Sequence, residues 1–127
     1  MSKGNKGSDL SSSSKKKTYH GGAYSSLKGG QDIHRHHIPA QSISGLGRSK
    51  GPAIEMEATD HVQTKSFGRA TEAVVYRSEI KELVDSDQMR DAIAREIKDV
   101  RRIAGKKYNQ AIKEMLDYSK ERGILDK

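Results

Sequence analysis

The chain has no cysteine and no tryptophan, and it has a single phenylalanine. Without cysteine, no disulfide bond can support the fold, and no thiolate zinc site of the zinc-finger kind can form. No apolar run approaches the roughly 18 residues that cross a bilayer, so the sequence predicts no membrane span. The basic N-terminus lacks the apolar stretch of a secretory signal, so if the protein leaves its cell we expect another route or a larger parent chain to carry it.

Hydrophobic residues make up only 32% of the 127 residues, which predicts one domain with a modest core. The positive charge is distributed unevenly. Residues 1–50 contain nine Lys or Arg and two acidic residues, whereas residues 51–127 contain fifteen of each kind. The whole net charge of +7 therefore lies in the first part of the chain, and a basic face of this kind attracts a polyanion such as DNA or RNA.

Composition divides the chain into a linker and a domain. Residues 1–17 are rich in Gly, Ser and Lys, which predicts a disordered basic linker. Residues 18–127 are then the folded domain. Its first segment, 18–31, contains two Gly-Gly pairs and is expected to form an ordered loop.

Two short strands are predicted next. Residues 33–38 have a strand pattern that Pro39 ends, because proline cannot donate to a sheet. Residues 52–56 alternate apolar and polar side chains, which is typical of a strand. Between them, residues 40–46 are expected to form one helical turn.

Helices are predicted for the remainder of the chain. Thr59 or Asp60 is expected to cap a helix that carries His61 in its first turn. Apolar residues then recur three and four apart, which predicts helices over 70–84, from a cap at Ser86 or Asp87 to Gly105, and over 106–122. Short strands followed by helices predict an α+β domain.

A histidine cluster is the most informative feature of the sequence. Three of the five histidines lie within residues 34–37, and His61 follows at the predicted helix start. Neutral imidazole is the commonest protein ligand for transition metals and a base poised near neutral pH. Adjacent residues on a strand point to opposite faces, so His36 and His37 suit one metal ligand and one general base, or one ligand beside a structural imidazole. His34 shares the face of His36 and could be a ligand, a phosphate contact or a solvated side chain.

This arrangement would support phosphodiester hydrolysis. A divalent ion held by His36 and His61 would offset charge on a scissile phosphate and stabilise the leaving 3′ oxygen. His37 would accept a proton from the attacking water. Without thiolates, the ion would be Mg, Mn, Ni or Zn. Asp60 could be a further ligand, could orient His61, or could simply cap the helix.

Several segments of the chain resemble the HNH/endonuclease VII superfamily of nuclease toxin domains, which occur at the C-termini of Rhs-type and contact-dependent inhibition polymorphic toxins. The likeness covers roughly residues 18–122 and is carried mainly by four segments: Leu27–Gly30, His36–Ala40, Lys50–Met56 and Asp60–Gly68. The resemblance implies a ββα-metal finger, here about residues 31–68, followed by a helical part at about 70–122. It also implies one catalytic divalent ion and DNA cleavage in a competitor bacterium.

The resemblance assigns roles and partners as well. It implies that His36 and His61 are metal ligands and that His37 is the general base. The asparagine of the HNH name and a second helix histidine have no counterpart here, which leaves the third ligand open among Asp60, Gln63, Thr64, Asp32 and His34. The family is delivered as the C-terminal part of a larger toxin polypeptide and acts in the target-cell cytoplasm. A cognate immunity protein protects the producer, and we expect it to be acidic.

Basic side chains near the cluster in sequence are candidate phosphate contacts: Arg35, Arg48, Lys50 and Lys65. Two other functions compete with the metal-dependent nuclease. One is a metal-independent RNase or tRNase that uses His34, His36 and His37 as acid and base. The other is a non-enzymatic nucleic-acid-binding module, which the scarcity of stacking aromatics and the lack of a basic recognition helix disfavour.

Overall fold

The computed structural model describes residues 18–127, and the predicted linker at 1–17 lies outside the described residues. Three antiparallel strands form one sheet in the order β1–β3–β2, where β1 is Gly21–Ala23, β2 is Ile33–His37 and β3 is Pro52–Glu57. The two predicted strands are therefore confirmed, and each agrees with its expected bounds to within one residue.

Five α-helices accompany the sheet in the part of the chain that the structure describes: α1 (Gln41–Ser44), α2 (Ala58–His61), α3 (Thr71–Asp85), α4 (Met89–Ala104) and α5 (Asn109–Glu121). Short 3₁₀ turns follow β1, at Tyr24–Ser26, and α5, at Ile124–Asp126. The α+β class is thus confirmed. Among the described helices, none is both long and apolar enough to cross a membrane.

The strand β1 replaces part of the loop that was expected over 18–31. Gly21 pairs with Ile54 of β3, and α5 packs directly against it. A Cβ atom at Gly21 would lie 2.0 Å from the backbone oxygen of Ala111 on α5. Gly21 therefore allows the strand and the helix to approach each other closely. It does not form the turn that a Gly-Gly pair usually indicates.

Two predicted helix caps are wrong. The helix α2 begins at Ala58 with Glu57 as its N-cap, so Asp60 lies inside the helix and His61 is its last residue. The N-cap of α4 is Gln88, where Ser86 or Asp87 had been expected. At neither position does the side chain of the N-cap residue hydrogen-bond to the helix backbone. Tertiary packing therefore determines where these two helices begin.

The core lies between the sheet and the last two helices. The predicted apolar stripe of α4 is confirmed, since Met89, Ile93 and Val100 are at most 2% exposed. They pack in one cluster with Ile54 and Met56 of β3. The central strand β3 is buried from Pro52 to Met56, so its alternating sequence does not mark a solvent-facing side.

A buried carboxyl on α4 makes the stability of the fold depend on pH. Glu96 is 1% exposed, and its Oε2 accepts the backbone N–H of Ala40 at 3.1 Å. Burial raises the pKa of Glu96 from 4.5 to about 8. Between those two values the unfolded chain has lost this proton while the folded chain keeps it, so the free energy of unfolding falls as the pH rises.

Replacing Glu96 with glutamine should remove this dependence while keeping an acceptor for Ala40. We expect the wild type to lose on the order of 2–4 kcal/mol relative to Glu96→Gln between pH 4.5 and pH 8, at about 1.4 kcal/mol per unit of pKa shift. Urea unfolding of both proteins at several pH values in this window measures the difference. Parallel pH profiles for the two proteins would contradict the prediction.

Candidate active site

Three of the histidines meet on one face of β2. His34 and His36 lie opposite Met56 and Ile54 of β3, and α2 follows β3 directly and returns His61 to the same face. The ring of His61 is 4.9 Å from that of His34 and 4.8 Å from that of His36, measured between centroids. The Nδ1 atoms of His34 and His61 are 2.7 Å apart, which is a hydrogen bond in which one imidazole donates to the other.

Two of these imidazoles are held in the neutral form. His36 is only 4% exposed, and burial lowers its pKa to about 3. Burial likewise lowers the pKa of His61 to about 4, with a further contribution from His34. A neutral imidazole keeps a lone pair that can accept a proton or bind a metal ion, so both rings are in the form that can act as a metal ligand.

His37 lies on the opposite face of β2, as strand alternation predicts. Its ring stacks on that of Tyr24 at 4.2 Å between centroids and 4° between planes. Its Nε2 is 2.8 Å from the carbonyl oxygen of Arg48, so the Nε2–H donates to that oxygen. This tautomer leaves Nδ1 as the basic nitrogen. Gly51 packs against the ring, since a Cβ there would lie 3.1 Å from Cδ2 of His37.

An open cleft at the end of β2 joins the two faces. It has a volume of about 220 Å³, and His36, His37 and His61 all line it. The remaining lining residues come from β2, from the start of α1 and from the loop after α2: Arg35, Ala40, Gln41, Ser66, Phe67 and Gly68. The two histidines of the pair therefore reach one cleft, although their rings lie on different sides of the strand.

The helices α3 and α4 hold the walls of this cleft. Asp99 of α4 accepts the backbone N–H of Lys65 at 2.7 Å, and Arg77 of α3 donates to the carbonyl oxygen of Ser66. Glu96 of α4 accepts the backbone N–H of Ala40 on the other wall. The helical part of the chain therefore positions the cleft.

Three of the other candidate ligands have side chains that are hydrogen-bonded to groups other than the imidazoles. The Oδ2 atom of Asp60 accepts hydrogen bonds from Tyr108 Oη at 2.6 Å and from Lys107 Nζ at 2.8 Å. Thr64 is buried, and its hydroxyl donates to the backbone oxygen of His61. Asp32 is exposed, and its backbone oxygen accepts from Ala58. Gln63 binds the backbone oxygen of Thr59 four residues earlier.

The basic candidates separate into two groups. The guanidinium of Arg35 lies over the ring of Tyr24 at 4.0 Å from the centroid, and that of Arg48 lies at 5.6 Å. Both guanidiniums also act on His37, whose pKa is lowered by burial and then by the charges of Arg48 and Arg35. Lys50 is exposed nearby, and its backbone oxygen accepts from the hydroxyl of Tyr118. Lys65 lines a different cleft, together with Glu72 and Glu79, and does not join this group.

Sequence reasoning missed Tyr24, which holds both His37 and Arg35. Tyr24 directly follows β1, so the pairing of that strand places it. Its backbone N–H then donates to the carbonyl oxygen of Gly51, at the end of the β2–β3 connection. The only local signal is the Gly-Gly pair just before it, which predicts a loop equally well.

The imidazoles are close enough to share an ion, but they do not form a finished cage. Among residues 18–127, no group of three or more His, Cys, Asp or Glu side chains is arranged to hold a metal ion as they stand. Two nitrogens bound to one tetrahedral zinc lie about 3.3 Å apart, given Zn–N bonds of about 2.0–2.1 Å. The 2.7 Å between His34 and His61 is shorter, so small ring rotations would be needed to bind an ion.

Comparison of the chain with protein-family models, with curated proteins and with solved structures finds no match. The chain is an α+β domain with one cleft that is lined by His36, His37 and His61 together with Arg35.

Proposed function

We propose that this chain is a metal-dependent endonuclease toxin domain that hydrolyses DNA, with β2, β3 and α2 as an HNH-type ββα-metal finger. The observation that supports it is the meeting of His36, His37 and His61 in one cleft. The pair supplies a ligand and a base from opposite faces of one strand, and α2 supplies the second ligand. The resemblance of residues 18–122 to nuclease toxin domains, which includes these same three histidines, agrees with this proposal.

Each residue of the cleft has a role in this proposal. His36 and His61 would hold the ion, which when bound supplies a positive charge against the phosphate and the leaving 3′ oxygen. His37 accepts the proton of the attacking water at Nδ1, while the carbonyl of Arg48 holds its other nitrogen and Tyr24 fixes the plane of its ring. Arg35 lines the same cleft and neutralises a substrate phosphate.

The proposal includes the biological setting of such domains. The chain would be delivered as the C-terminal part of a larger toxin and would act in the cytoplasm of a competing bacterium. A cognate immunity protein would protect the producer. An acidic partner fits the basic first part of the chain, because complementary charge speeds association.

A metal-independent RNase is the second candidate. The hydrogen bond between His34 and His61 pairs two imidazoles, and a pair of this kind can act as acid and base without an ion.

The two candidates differ in substrate and in metal requirement. We expect the purified chain to cut plasmid DNA in the presence of Mg, Mn, Ni or Zn and to leave it intact with excess chelator, since the ion stabilises the leaving oxygen. The same reactions are run with a structured RNA, and His20→Ala is the control for loss of a histidine outside the cleft. RNA cleavage in chelator, with DNA uncut under all conditions, would replace the proposal with the alternative.

A further inference from the structure

The solvent-facing side of α4 carries almost only positive charge. Seven residues of this helix are exposed, and their spacing follows the helical period, so they lie along one side of it. They are Arg90, Asp91, Ala94, Arg95, Lys98, Arg101 and Arg102. Five of them are cations and one is an acid, which gives this side a net charge of +4. The five cations are called the basic face of α4 below.

The acidic residues of the second part of the chain lie elsewhere. Glu96 and Asp99 of α4 are buried, at 1% and 5% exposed. The neighbouring helix α3 exposes four acidic side chains and one lysine: Glu72, Glu79, Glu82, Asp85 and Lys81. Residues 51–127 have no net charge as a whole, but the fold separates their charges between the exposed sides of two helices. A count along the sequence does not detect this separation.

Ion pairs within the chain neutralise only part of the basic face. Arg95 and Arg102 are paired with carboxylates. Among residues 18–127, no carboxylate forms an ion pair with Arg90, Lys98 or Arg101. All of these cations except Arg90 lie three or four residues from Lys98 or are Lys98 itself, and like charges at that spacing destabilise a helix. A bound polyanion would offset this repulsion.

The basic face ends beside the loop that forms one wall of the histidine cleft. Residues 66–68 of this loop line the cleft. The same loop is bonded to the C-terminal half of α4, because Arg102 donates to the backbone oxygen of Gln63 at 3.2 Å and Asp99 accepts the backbone N–H of Lys65 at 2.7 Å. A polyanion longer than the cleft can therefore contact the cleft and the basic face together.

We propose that the basic face of α4 binds the phosphodiester backbone of duplex DNA and holds the duplex while one phosphate lies in the histidine cleft. This inference rests on the proposed function in that it takes DNA as the substrate. From Arg90 to Arg102 the helix rises about 18 Å, which corresponds to roughly five phosphates of each strand. Backbone contacts position a duplex without reading its sequence, so α4 is not a recognition helix.

The chemistry of this face favours a nucleic acid over an acidic protein. Protein interfaces have a core rich in aromatic and other apolar side chains, whereas nucleic-acid interfaces are more polar and much more positively charged. The one apolar residue on the exposed side of α4 is Ala94. The large hydrophobic side chains that residues 18–127 expose lie on α3 and in the loop before it: Val62, Phe67, Val74 and Val75.

The test is DNA binding, measured apart from cleavage. The affinity of the full chain for a fluorescein-labelled DNA duplex is measured by fluorescence anisotropy at several salt concentrations, in excess chelator. Lys98→Gln should lower the slope of log affinity against log salt concentration by about 1, and Lys98→Gln combined with Arg101→Gln by about 2, since each phosphate contact releases about one counterion. Both side chains are exposed and glutamine is a good helix former, so the fold should survive, which circular dichroism checks.

The matched control is Lys113→Gln combined with Lys120→Gln, which removes the same charge from the exposed side of α5. Its slope should equal that of the wild type. An unchanged slope in the α4 variants, or an equal loss in the control, overturns the proposal. Polyglutamate and an RNA duplex replace the DNA in two further arms. A loss confined to polyglutamate would assign the face to an acidic protein, and a loss confined to RNA would assign it to RNA; either result overturns the proposal.

The outcomes also separate this inference from the proposed function. A wild type that cuts no DNA, with a lowered slope in the α4 variants, contradicts the function and supports the binding surface. A wild type that cuts DNA, with unchanged slopes in those variants, supports the function and contradicts the binding surface.

Discussion

Replacing His37 with alanine is expected to lower the rate of DNA cleavage by about 10²- to 10⁴-fold, the usual contribution of a general base. The fold should survive, because the ring of His37 packs on Tyr24 at the edge of the cleft and lies outside the main core cluster. Initial rates of supercoiled plasmid nicking, at equal protein and metal concentrations, measure the loss.

The matched control is His20→Ala. His20 is exposed, contacts Glu114 of α5 and does not line the cleft, so its loss should leave the nicking rate near that of the wild type. Equal rates for His37→Ala and wild type would remove His37 from the mechanism.

The largest effect on stability is expected from Gly21→Ala. The new Cβ would lie 2.0 Å from the backbone oxygen of Ala111 and 3.0 Å from the backbone nitrogen of Met115. Both atoms belong to α5, so neither can move aside as a flexible side chain would. We expect a loss of about 3 kcal/mol or more in the free energy of unfolding, at the upper end of the cost of overpacking.

Gly30→Ala is the comparison for this variant. A Cβ at Gly30 meets no atom within 4 Å, so this substitution should change the free energy of unfolding by less than about 0.5 kcal/mol, as is usual on the surface. Thermal or urea unfolding of the two variants measures the difference. A Gly21→Ala protein as stable as Gly30→Ala would contradict the packing of α5 on β1.

The parts of the fold that follow from short-range patterns could be predicted. The strand β2 and the stripe of α4 depend on periods of two and three to four residues, and these are visible in the sequence. The same alternation placed His34 and His36 on one face and His37 on the other. The sequence therefore contained the division of the histidines between two faces.

The parts that depend on distant partners could not be predicted. Aspartate is a preferred helix-capping residue, which is why Asp60 was expected to cap α2. Its carboxylate instead binds Lys107 and Tyr108, which are more than forty residues away in the sequence. The strand β1 exists because Gly21 allows α5 to approach, and nothing near Gly21 in sequence announces that helix. Tyr24 reaches His37 only because β1 pairs with β3.

The helix α3 shows the same limit for side-chain burial. Its apolar residues include Val74 and Val75, yet these are 50% and 51% exposed, while Ala73, Tyr76 and Ile80 face the protein interior. Which side of a helix is buried depends on its neighbours, and here α1 and α4 lie along the face that carries Tyr76 and Ile80. A period alone identifies a helix without fixing its rotation.

In the proposed function, one cleft binds a metal ion and carries a separate base for DNA hydrolysis. The most direct test measures zinc or nickel affinity and plasmid nicking on the same samples of wild type and His37→Ala. We expect both proteins to bind the ion with similar affinity and only the wild type to cut DNA. Nicking by His37→Ala at the wild-type rate, or by the wild type in excess chelator, would contradict it.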